Sequence, residues 1–181
     1  MIKKWRVGRW RLTITIAPMA DVIGVNSGLE DDNHILMWDF DDTDLDAVVT
    51  ALLKVQRIYE LPAIHILETK NNKNFMAYCF QRTPWRKGLA VYEDDGANRV
   101  SGFGRLPRIV VEILAFTDGL DENYFKYGVY RRRFTLRVTP KSGREPKLIW
   151  TLVSDIPADC EIADLMRWTQ YETLADDARR Y

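Results

Sequence analysis

Two carboxylates separated by one residue, Asp39 and Asp41 in the run Trp38-Asp39-Phe40-Asp41-Asp42, are the strongest chemical feature of the chain. On a β-strand, residues i and i+2 share a face and stand about 7 Å apart, so such a pair can hold hard divalent cations through oxygen. Two-metal phosphoryl transfer uses this arrangement, with ions roughly 4 Å apart clamping the attacking and leaving oxygens. Asp39 lies inside an apolar run, where an unpaired buried charge is costly, so it must meet solvent, a cation or a basic group. Asp42, Thr43 and Asp44 have a structural reading instead, because such residues before a helix cap its first N–H groups and suit its dipole.

Two basic groups offer partners for phosphate. The turn Thr69-Lys70-Asn71-Asn72-Lys73-Asn74 combines lysine charge with hydroxyl, amide and main-chain donors, although an ordinary solvated hairpin tip has the same composition. The series Arg131-Arg132-Arg133, Arg137 and Lys141 places guanidinium forks that match phosphate oxygens, or equally a basic surface balanced by nearby acids. The two histidines, His34 and His65, are too few for a typical metal centre, and neither fits a nucleophile triad on spacing alone. Phe75, Tyr78, Phe80, Trp85 and Tyr92 could stack on bases, but in a hairpin such residues more often pack a core.

These residues need elements to position them. His34 to Asp41 reads as a strand with Leu36, Trp38 and Phe40 on one face and Ile35, Met37, Asp39 and Asp41 on the other. Thr43 with Asp46 resembles a capping box, and Leu45, Val48, Val49, Leu52, Leu53, Val55, Gln56 and Tyr59 then recur at helical spacing up to Leu61-Pro62. Ala63 to Thr69 and Phe75 to Gln81 read as an antiparallel hairpin. Upstream, Arg9 to Ile16 alternates, which predicts a half-buried strand with Trp10, Leu12, Ile14 and Ile16 on one side and a basic outer face, and Gly24 to Asn33 reads as a loop. Downstream, Arg82 to Pro107 shows no clean period, and Arg108 to Thr117 suits helix or strand. Tyr130 to Thr139 and Leu148 to Val153, across the turn Lys141 to Pro146, predict a second hairpin, and Glu161 to Leu174 predicts a C-terminal helix.

Composition bounds the answer. With 181 residues the chain is long enough for one ordinary core, and with 26 basic against 26 acidic side chains it has no overall field for polyanions, so any such site must be local. Cys79 and Cys160 are far apart and Cys79 lies in an apolar run, which argues against a disulfide framework. No secretory signal opens the sequence and no apolar run approaches the roughly 20 residues of a membrane span. The expectation is a soluble, cytoplasmic α+β protein, one domain over residues 1–181, with a mixed or antiparallel sheet and helices packed on one face.

In chain order, Asp39-Phe40-Asp41, a helix, the segment Ile64 to Phe80, an acidic residue at Asp118 or Asp121, and Arg133-Phe134-Thr135-Leu136-Arg137-Val138-Thr139-Pro140-Lys141 resemble the archaeo-eukaryotic primase (primase-polymerase) superfamily, especially its plasmid and viral replication members. The resemblance covers residues 35–147. It implies an RRM-like palm with Asp39 and Asp41 on an open sheet face, Mg²⁺ or Mn²⁺ held by Asp39, Asp41 and Asp121 (Asp118 being the alternate), and nucleotidyl transfer in DNA replication or repair. It further implies that Arg137 and Lys141 hold nucleotide or template, beside Arg133 of the same basic series. Single-stranded DNA or RNA, nucleotides and a replication protein would be the partners. Where that family carries a histidine, this sequence has Asn74-Phe75-Met76-Ala77-Tyr78, leaving Thr69, Lys70 and Lys73 as the substitute contacts. Two other chemistries suit the same residues: a non-catalytic single-strand-binding replication module, and a nuclease that activates water with the same carboxylates.

Overall fold

The structure, a computed structural model, describes residues 2–15, 19–29, 32–70, 72–85, 108–140, 143–158 and 167–174. Among them the chain runs β1 (Ile2–Val7), β2 (Trp10–Thr15), β3 (Met19–Asn26), β4 (Asn33–Phe40), α1 (Leu45–Tyr59), β5 (Ile64–Lys70), β6 (Asn74–Pro84), α2 (Val110–Ala115), α3 (Glu122–Arg131), β7 (Thr135–Arg137), β8 (Lys147–Leu152) and β9 (Arg167–Leu174). The architecture is α+β, with sheets ordered β1-β2, β7-β3-β9 and β4-β6-β5-β8 and every paired strand antiparallel.

The four-stranded sheet frames the acidic pair. Both β4 and β5 are antiparallel to β6, which lies between them, so β4 and β5 run parallel and α1 is the crossover that such a connection requires, a split βαβ unit. Helix α1 forms because Val48, Ala51, Leu52, Val55, Gln56 and Tyr59 make a buried stripe at helical spacing. It stops at Glu60, left-handed at φ 50°, and the Arg108 guanidinium caps its end by donating to the carbonyls of Tyr59 (2.9 Å) and Glu60 (2.8 Å). The expected capping box does not form. Asp44 is the N-cap without a side-chain hydrogen bond, and the Thr43 hydroxyl donates instead to the carbonyl of Asp41.

The side chains of β4 divide between two faces as its parity predicts, and both faces are buried. Leu36, Trp38 and Phe40 meet α1 and α2 in the larger core, while Ile35 and Met37 join Met76, Tyr78 and Phe80 beneath Val25, Leu29 and Leu136 of the β3–β7 region. The face expected to be open is thus covered along most of its length. Among the described residues no further strand pairs with the outer edge of β4, which is closed instead by single bonds: Ile35 N–H donates to Ser27 O (2.9 Å), Tyr124 Oη to Met37 O (3.0 Å) and Asp121 N–H to Asp39 O (2.9 Å). Satisfying alternate main-chain groups in this way removes a template for intermolecular pairing.

Several expectations are corrected. Trp10 is 82% exposed and Leu12 is exposed as well; among the described residues β2 pairs with β1 alone, in a two-stranded hairpin. Gly24 to Asn26 belong to β3 rather than a loop. Tyr130 and Arg131 end helix α3, and β7 and β8 form no hairpin, since β7 pairs with β3 and β8 with β5. Residues 167–174 are a strand paired along its whole length with β3, not the end of a helix, and Glu161 to Met166 lie outside the described residues. Arg108 to Thr117 contains a helix, α2. No helix among the described residues is long and apolar enough to cross a membrane.

Candidate functional site

Asp39 projects from β4 onto the face of Met37, opposite Met76 of β6, and is half-buried; Asp41 lies just past the strand end and is exposed. Two phenols face Asp39. Burial, then the charge of Asp39, pushes the Tyr78 hydroxyl well above the ordinary phenol range, and burial, Asp39 and Tyr78 together do the same to Tyr124. Both rings therefore stay neutral hydrogen-bond donors, Tyr124 to Met37 O and Tyr78 weakly to Met76 Sδ at 3.9 Å.

The carboxylate of Asp41 accepts from the Asn74 side-chain amide at the start of β6. The Thr43 N–H donates to Lys73 O at 2.9 Å, so the β4–α1 connection is tied to the β5–β6 hairpin turn. That turn places Lys70 and Lys73, both exposed, beside the acidic strand end; the Thr69 hydroxyl is directed inward to Asn74 O (3.1 Å). The left-handed Asp42 (φ 52°) and Asn72 (φ 54°) make these tight connections, a conformation that short polar side chains tolerate best after glycine.

Of the two downstream acids, Asp121 and not Asp118 abuts β4. Asp121 is the N-cap of α3; its N–H donates to Asp39 O and its Oδ1 accepts from Tyr124 N–H at 2.5 Å. Asp118 pairs with Lys54 at 2.8 Å on the surface. Among the described residues no group of three or more His, Cys, Asp or Glu side chains is arranged to hold a metal ion. The carboxylates on hand are the pair Asp39 and Asp41, with Asp121 engaged at its cap. Magnesium is commonly bound by one or two carboxylates plus substrate phosphates rather than by an all-protein cage, and the pair suits that mode.

The basic series is divided. Arg137, half-buried, turns its guanidinium onto its own strand exit, donating to Thr139 O and Oγ1 (both 3.2 Å) and to Pro140 O. Arg133 is exposed after α3, and Lys141 lies outside the described residues. The aromatic residues Phe75, Tyr78, Phe80 and Trp85 are core, and Tyr92 lies outside the described residues. His34 is buried against Ser27 (Nδ1 to Oγ, 2.9 Å), and His65 meets Thr151 (Nδ1 to Oγ1, 3.2 Å) with its basicity lowered by burial. Sequence reasoning gives no role to Tyr124 and treats Tyr78 only as a stacking or core ring; strand parity with Met76 is the signal that places Tyr78 on the face of Asp39.

The chain matches no family model, no curated protein and no solved structure. The side chains gathered at this strand end are the guide to its chemistry.

Proposed function

We propose that the protein is a metal-dependent nucleotidyltransferase of primase-polymerase type, acting on nucleotides and a single-stranded template in DNA replication or repair. The observation that carries this reading is the junction of Asp39, Asp41 and the start of α3: an acidic pair at a strand end, with a third acid-bearing element hydrogen-bonded to the same strand. The split βαβ order β4-β6-β5 supports an RRM-like palm for residues 33–84, with β8 added beyond β5. Asp39 and Asp41 would hold Mg²⁺ or Mn²⁺ together with the nucleotide's phosphates, and the ion would supply charge neutralisation at the reacting oxygens. Lys70 and Lys73, at the turn tied to Thr43, would take phosphate charge on the same side.

In this scheme Tyr78 and Tyr124 stay neutral and give the Asp39 carboxylate a wall of phenol rings. Asn74 orients Asp41. Labelled nucleotide incorporation on a single-stranded template with Mg²⁺ or Mn²⁺ tests the reading; product that disappears in Asp39→Asn supports it, and no product from the wild type refutes it.

A second reading, a non-catalytic single-strand-binding replication module, is favoured by one observation. The Asp121 carboxylate is committed to capping α3, which leaves two acids where two-ion catalysis commonly employs more.

A further inference from the structure

The outer side of α3 is built unlike a plain solvated helix. Tyr130 is 87% exposed and Tyr127 60%, and with Arg131 they share one side of the helix at i, i+3 and i+4. The Arg131 guanidinium lies 5.6 Å from the centroid of the Tyr127 ring, a cation–π arrangement. Arg132, left-handed at φ 54°, and Arg133 follow, both exposed. The acid of this helix, Glu122, is neutralised by Lys126 at 2.7 Å. Three guanidinium groups and two open phenol rings therefore sit at one helix end of a chain with no net charge.

Complementing the helix C-terminal dipole explains a basic residue there. It does not explain two rings that bury so little of themselves, whereas Tyr124 and Phe125 on the opposite side pack against Phe134. Exposed aromatic faces interleaved with arginine are how sequence-tolerant proteins hold single strands, by stacking bases and neutralising phosphates.

We propose that this side of α3 is a single-stranded nucleic-acid platform, with bases stacked on Tyr127 and Tyr130 and phosphates held by Arg131, Arg132 and Arg133. The choice of polyanion rests on the nucleotidyl-transfer reading, and the stacking rings separate a nucleic acid from an acidic peptide. Because α3 starts just after Asp121, which is hydrogen-bonded to Asp39, and is about 15 Å long, a strand bound at its far end is within a few nucleotides of the acidic pair.

The test is fluorescence anisotropy of a labelled oligothymidylate with the full chain, in EDTA and without nucleotide. Wild type binds, with affinity falling as salt rises. Tyr130→Ala weakens binding roughly 5- to 150-fold, the range for one missing base stack. Arg132→Asn with Arg133→Gln, chosen because asparagine tolerates the left-handed backbone, lowers the salt slope by about 0.7 for each phosphate that is no longer neutralised. No binding by wild type, binding by both variants at wild-type strength, or displacement by polyglutamate with equal sensitivity to Tyr130→Ala overturns the proposal. The assay contains neither metal nor nucleotide, so failure here is distinct from failure of the catalytic reading.

Discussion

Asp121 donates its main-chain N–H to the carbonyl of Asp39 across 2.9 Å, so the first residue before α3 is locked to the strand that carries the acidic pair. That hydrogen bond is one of three that close the β4 edge, and it anchors the residue whose carboxylate caps α3. Tyr124, three residues on, uses the same approach to reach Met37 O.

The paired phenols make the protein sensitive to alkali. Tyr78 and Tyr124 ionise in the folded protein only well above the ordinary value near 10, whereas the unfolded chain releases both protons near pH 10. Their contribution is therefore intact below about pH 10 and lost as pH rises above it, at up to about 2.7 kcal/mol per pH unit for two protons. Urea midpoints between pH 8 and 11 measure this, and in Asp39→Asn the phenolate absorbance should appear at lower pH. Identical tyrosine titrations in the two proteins would remove Asp39 from the phenol environment.

Gly128 faces the Phe134 ring so closely that an added Cβ would overlap it. That ring is itself fixed by Trp85, Tyr124 and Phe125. Alanine gains about 1 kcal/mol in helix propensity, but overpacking a filled core costs about 1–3 kcal/mol, occasionally more. Gly128→Ala should lower stability by up to about 2 kcal/mol in chemical denaturation, and a more stable variant would show that the helix can shift.

Asn74 ties its amide to Asp41, so a cation arriving with nucleotide must disturb that hydrogen bond. Addition of Mg²⁺ with a nucleoside triphosphate should move the Asn74 side-chain amide resonances, while Mg²⁺ alone at the same concentration moves them less. An amide that responds to neither contradicts cation binding at Asp41.

Trp38 donates its indole N–H to Thr117 Oγ1 at 2.9 Å inside the core, and that hydroxyl donates onward to Ile113 O. Thr117→Val keeps the shape and removes the acceptor. The stranded indole N–H should cost about 1–3 kcal/mol, read as a shifted denaturant midpoint and a changed indole proton resonance. An unshifted midpoint would mean that the indole finds another partner.

The part of the molecule legible in sequence is the part whose signals are local. The run Ile35 to Phe40 alternates cleanly, α1 carries a full apolar stripe, and a polar turn joins β5 to β6, so this frame and the face of Asp39 follow from periodicity. Helix α3 leaves no such trace, because its one buried residue is Gly128 and its inner contacts are the half-buried Tyr124 and Phe125. Strand β7 is legible from the alternation within Tyr130 to Thr139 but its partner is not, and β9 escapes periodicity altogether. Their partner is β3, far away in sequence, and pairing at that distance overrides the helical reading of residues 167–174. The carboxylate pair is legible from spacing; the phenol wall, built from β6 and α3, requires the fold.

The sharpest measurement of the proposed chemistry is incorporation of labelled NTPs and dNTPs on single-stranded templates with Mg²⁺ or Mn²⁺, comparing wild type with the Asp39→Ala, Asp41→Ala double variant at matched circular dichroism. The expected result is metal-dependent product from the wild type, absent in the variant, with template binding in EDTA unchanged. Product of equal yield from both proteins, or none from either while the template stays bound, would contradict nucleotidyl transfer at this acidic pair.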